Sequence, residues 1–172
     1  MNELIEKLNK LLATSFTFYL KTHFFHWNVK GQDFIQYHGF FGDLYEDVYG
    51  SIDATAEQIR ALQGIAYGSL TQYQSLSEVS DQTSVPTLQE MISILYRDNE
   101  TTIGVLEEVH DIASRNKQFG LLNYIEGRID IHKKHSWMLR SSMAEEEHVK
   151  EEVQEELKED ELKVYTLNPR DL

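Results

Sequence analysis

Residues 64–86, GIAYGSLTQYQSLSEVSDQTSVP, separate two pairs of helical segments and decide how those segments can be arranged. Gly64, Gly68, several serines and threonines and Pro86 read as a long connection with one short helix inside it. Before it, Leu4, Ile5, Leu8, Leu11, Leu12, Phe16, Tyr19 and Leu20 recur at three- and four-residue steps, which predicts an amphipathic helix over residues 3–29. Gly31 stops that helix and Asp33 can cap the next, marked by Phe40, Phe41, Leu44, Val48, Ile52, Ala56, Ile59 and Leu62. After the connection, Thr87-Leu-Gln-Glu90 is a capping-box pattern directly following a proline. Leu88, Met91, Ile92, Leu95, Ile103, Leu106 and Ile112 carry the third helix onward. A break near Asn116–Gly120 leads to a fourth, with Leu122, Ile125, Ile129, His132, Trp137 and Leu139 inward or at interfaces. A crossover of this length lets helices two and three run parallel, as a tight hairpin turn does not. The predicted class is all-α: a four-helix bundle over residues 1–144, then an acidic helical extension over 145–172 that ends before Pro169.

At 172 residues and 41% hydrophobic, the chain suits one domain with a substantial core. No apolar run is long enough to cross a membrane. The start, Met1-Asn2-Glu3-Leu4, lacks the basic and apolar regions of a signal peptide, so a cytoplasmic location is expected. With no cysteine there is neither a disulfide framework nor a thiolate metal site. A net charge of −13 opposes binding to a nucleic-acid backbone. From Glu145 to Glu161 only Lys150 and Lys158 interrupt a mostly acidic run, which attracts cations and equally serves as a solubilising face.

The chemistry concentrates in His26, His38, Asp53 and Glu57. Imidazole nitrogens beside hard carboxylate oxygens are what ferrous iron prefers. Asp53 and Glu57, four apart, share a helix face. His38 lies fifteen residues before Asp53, about 22 Å along one helix, too far for a single ion. Either the four are unrelated, or a site forms where two copies of the chain meet. His23 and His26, three apart, can share a face, although such histidines more often serve packing. Two E-x-x-H patterns, Glu107–His110 and Glu145–His148, fall at opposite ends of the bundle and cannot share a site. Chance alone gives about one such match, so both read as solvated charges.

The chain resembles the Dps family (DNA-binding protein from starved cells), mini-ferritins built on the ferritin-like bundle. The resemblance rests on His26-Trp27-Asn28-Val29-Lys30-Gly31, Phe34, His38, Phe41, Asp53 and Ala56-Glu57, supported by His132-Lys-Lys-His135-Ser-Trp137-Met-Leu-Arg140, and covers roughly residues 3–143. It implies a ferroxidase centre shared between two subunits, with metal ligands His26 and His38 from one and Asp53 and Glu57 from the other. It also implies a homo-oligomer, a dodecamer, enclosing a cavity in which Fe(II) is stored as ferric mineral after oxidation to Fe(III). The oxidant would be hydrogen peroxide, or more slowly dioxygen. Trp27, beside a ligand, would stand near the metal and donate an electron; it also suits interface packing.

Two departures from the family stand out. The N-terminus enters the first helix at once, with Lys7 and Lys10 on its exposed face, and the C-terminal extension is acidic, which argues against direct DNA binding. Gly42 stands where many members carry a further acidic residue, and Asp43 points about 100° away, so a second iron position is expected to be weak or solvent-completed. For iron entry the resemblance points to Glu126 and Asp130, with Lys133 and Lys134 nearby. The competing readings are a catalytically weak shell with a structural or DNA-protecting role, and an oxidase with its di-iron site inside one bundle.

Overall fold

The computed structural model describes residues 1–143, so the acidic extension and its Glu145–His148 pattern lie outside the described residues. Five helices follow in order: α1 (Asn2–Asn28), α2 (Phe34–Ala61), α3 (Leu70–Leu76), α4 (Leu88–Arg115) and α5 (Phe119–Ser141). There is no strand among the described residues. α1 packs on α2, α4 and the short α3, and α4 packs on α5, so two helical hairpins are joined by the 64–86 crossover.

The ends of the helices are set locally. Gly31 adopts φ +124, a conformation side chains rarely tolerate, and turns the chain between α1 and α2. Asp33 takes the N-cap position of α2 without a side-chain bond to the helix; its φ −95, ψ 19 is not the extended conformation of a bonding cap. The Thr87 capping box does form: Glu90 accepts from the Thr87 N–H at 2.8 Å, and Thr87 Oγ1 accepts from the Glu90 N–H at 3.4 Å. α2 and α4 close alike. Gln63 (φ 64) and Lys117 (φ 55) turn left-handed, and the next amide reaches back to Ile59 O and Ala113 O, each at 3.0 Å.

The core comprises two clusters. One joins Leu4, Leu8, Leu11 and Leu12 to Ile59, Leu106, Val109 and Ile125; the other joins Phe18 and Phe25 to Phe41, Leu44, Met91, Leu95 and Leu139. Two residues placed on inward stripes or at interfaces by periodicity are open in the single chain: Leu20 is 42% and Trp137 58% exposed. No described helix is long and apolar enough to cross a membrane.

Candidate metal centre

His26 ends α1 and His38 opens α2, so the short turn around Gly31 brings them together. Their rings stack at 3.8 Å, and Phe34 stacks on His38 at 5.0 Å. Each histidine fixes the other. His26 Nδ1 lies 2.7 Å from the His38 carbonyl oxygen, and His38 Nδ1 lies 2.9 Å from that of His26. A carbonyl only accepts, so both Nδ1 atoms carry a proton, and in the neutral ring that leaves the lone pair on Nε2. A ring oriented by a carbonyl on one nitrogen and open on the other is the usual state of a metal-binding histidine. Gly42 lies against this pair: a Cβ there would stand 3.4 Å from His26 Cε1.

Asp53 and Glu57 are both exposed, farther along the same helix as His38. The sequence estimate of about 22 Å therefore applies directly. Among the described residues no group of three or more histidine and acidic side chains converges within one chain. The structure thus unites His26 with His38 and leaves them apart from Asp53 and Glu57. Trp27 is 60% exposed, with its ring 4.1 Å from His23, which stacks on Tyr45 at 3.9 Å. His23 is thereby a packing partner, and its pKa is lowered by burial and by His26.

The middle of the bundle, where an oxidase of the one-bundle type would hold iron, is filled by an ion pair. Arg128 grips Asp47 through two bonds of 3.1 and 2.8 Å and lies 3.3 Å from His132 Nε2. His132, 1% exposed, meets Asn99 Oδ1 at 2.6 Å, and Asn99 donates to Ser136 Oγ at 2.7 Å. Burial, then the charges of Arg128 and His135, hold the His132 pKa well below its usual range. Burial takes His135 down to about 4 against the pull of Asp47, and its buried Nδ1 has no hydrogen-bond partner among the described residues. Sequence patterning places His132 inward but gives no sign of its partners.

The first E-x-x-H pattern has a place of its own. Glu107, His110, Asp111, Glu126, Asp130 and Lys133 line an open groove, with His110 Nε2 3.2 Å from Glu126 Oε1. Lys7 pairs with Glu108 at 2.6 Å and Lys10 with Glu78.

The fold is that of a ferritin-like protein, and residues 5–149 match the model of the ferritin-like domain family. DNA protection during starvation protein 2 of Bacillus anthracis is 30% identical over 139 residues, which cover 81% of this chain and 95% of that protein. Dps from Staphylococcus aureus superposes with a TM-score of 0.80 at 29% identity, covering 83% of this chain and 96% of that one. The Vibrio cholerae Dps protein, described as a member of a broad superfamily of ferritin-like diiron-carboxylate proteins, gives a TM-score of 0.80 at 25% identity, over 83% of this chain and 89% of its own. The chain belongs to the Dps mini-ferritins.

Proposed function

We propose that this protein is a ferroxidase and iron-storing shell, with each centre built from His26 and His38 of one subunit and Asp53 and Glu57 of another. The observation that carries this reading is the reciprocal pair of Nδ1–carbonyl bonds, which leaves both Nε2 atoms free for a metal, with no group of three histidine and acidic side chains converging among the described residues of one chain. An antiparallel two-fold pairing of α2 helices brings the histidine end of one copy to the carboxylate end of the other, twice per dimer. The exposed Leu20, Trp27, Ile35 and Tyr49 on α1 and α2 supply apolar surface for such an interface. Twelve copies then close a shell over residues 1–144, with the 145–172 segment as an extension of it, and the location is cytoplasmic.

Iron is the substrate. Neutral imidazoles and ionised carboxylates bind Fe(II), and hydrogen peroxide, or more slowly dioxygen, takes its electrons. Two Fe(II), one peroxide and two protons give two Fe(III) and two waters, so no hydroxyl radical is released. Fe(III) hydrolyses and collects inside as ferric mineral, which protects the cell from oxidative damage. Trp27, beside His26, serves as a nearby electron donor. Anaerobic loading with Fe(II) followed by peroxide should give ferric absorbance in a fast phase.

One observation favours the second reading, a catalytically weak Dps-like shell acting as a structural or DNA-protecting assembly. Gly42 leaves the space beside His26 without a carboxylate, and a second iron there would depend on water. The absence of iron oxidation in that experiment would select this reading.

The groove around His110 and Glu126 is the proposed entry for Fe(II). Glu126→Gln with Asp130→Asn should slow iron uptake about threefold to tenfold while leaving peroxide oxidation of preloaded iron unchanged, as expected for lost electrostatic steering. An unchanged uptake rate removes both acids from the path. With Lys7 and Lys10 engaged by Glu108 and Glu78, the assembled protein should leave duplex DNA unshifted on a gel at physiological salt. A clear shift overturns that expectation.

A further inference from the structure

Tyrosines connect the two halves of the proposed site within each chain. The Tyr45 ring lies 5.1 Å from His26, edge to face. Tyr19, on α1, stands 6.3 Å from Tyr45 and 5.1 Å from Tyr49. Tyr49 is 60% exposed and precedes Asp53 by one helical turn on the same face of α2. The string therefore begins at the histidine half-site and ends beside the carboxylate half-site. On the proposed interface, on which this inference rests, those halves belong to different centres about 22 Å apart.

That placement answers a difficulty of electron count. Peroxide needs two electrons to become water, and Fe(II) yields one. With Gly42 beside His26, each centre is poorly furnished for a second iron. Packing alone would be served as well by phenylalanine or leucine; three phenols in succession add groups that can lose and regain an electron and a proton.

We propose that Tyr45, Tyr19 and Tyr49 form an electron relay between the two centres of a dimer, so that Fe(II) at one centre supplies the second electron for peroxide reduced at the other. At the first centre, Fe(II) gives one electron to peroxide and becomes Fe(III). Tyr45 gives the second electron and releases its phenolic proton, and two protons complete two waters. Tyr19 and then Tyr49 refill the hole in turn, each phenol regaining its proton. Fe(II) at the far centre finally reduces the tyrosyl radical at Tyr49. The sum remains two Fe(II), one peroxide and two protons to two Fe(III) and two waters.

The test loads native assembly, Tyr19→Phe, Tyr49→Phe and the control Tyr96→Phe with one Fe(II) per centre without oxygen, then adds half an equivalent of peroxide. Native protein and Tyr96→Phe should form two Fe(III) per peroxide in one phase, with a transient tyrosyl radical in freeze-quenched spectra. Tyr49→Phe and Tyr19→Phe should bind the same iron and oxidise the first half at the native rate. Their second half should be at least about tenfold slower, with a tyrosyl radical that persists in freeze-quenched spectra instead of decaying. An undiminished second phase in both variants overturns the relay while leaving the ferroxidase reading intact. A native protein that oxidises no iron overturns the ferroxidase reading, and the relay with it.

Discussion

Equal amounts of His26→Ala and Asp53→Ala chains, dissociated and reassembled together, should recover about a quarter of the native rate of Fe(II) oxidation by peroxide. Either variant assembled alone should lose about 100-fold, since removing a ligand costs at least as much as removing the group that orients one. The fraction follows from the two-fold pairing. Random mixing makes half of the dimers heterologous. Each of these has one centre lacking both residues and one built from the intact histidines of the Asp53→Ala chain and the intact carboxylates of the His26→Ala chain. His26→Ala is a clean probe, because His38 is held by the backbone carbonyl of residue 26, which alanine retains. A site contained in one chain would show no recovery on mixing, and full activity in either variant alone would remove that residue from the ligands.

Much of this architecture was legible before any coordinates. Periodicity in α1, α2 and α4 comes from apolar side chains meeting a core at every turn, so the helix bounds and the inward residues Leu8, Phe41 and Leu95 follow from spacing. The capping box at Thr87 and the closing turn near Asn116 are equally local. The Asp53–Glu57 spacing and its distance from His38 needed only helix geometry. The partners of these groups were not legible. That His26 and His38 exchange hydrogen bonds depends on how the Gly31 turn folds α2 back on α1. Tyr19, Tyr45 and Tyr49 fit an ordinary amphipathic pattern, and their succession appears only when two helices are set side by side. Leu20 and Trp137 show the converse: periodicity finds a stripe but does not say whether the same chain covers it.

Arg128→Ala should destabilise the bundle by about 1–3 kcal/mol, the cost of leaving the partly buried Asp47 without its charged hydrogen-bond partner. Asp47 would be left facing His135 without its guanidinium. Replacing the pair together, Arg128→Met with Asp47→Leu, should restore much of the loss, because no uncompensated charge then remains. The same network makes stability depend on pH. His135 titrates near 4 in the folded chain and His132 well below its usual range, against about 6.5 for unfolded histidine. Between those values the unfolded chain holds more protons than the folded one, so stability rises with pH across this window. It is fully present above about pH 6.5 and is lost as the pH falls toward 4, by a few kcal/mol at about 1.4 kcal/mol per pKa unit. Urea unfolding at fixed protein concentration, so that assembly contributes equally throughout, measures both effects. His135→Gln should flatten part of the pH profile, since glutamine keeps a polar side chain without a titrating proton. A native profile that stays level from pH 7 to 4.5 would mean that these histidines are not held neutral in the core. An Arg128→Ala variant as stable as the native protein would mean that water reaches Asp47 and replaces the guanidinium.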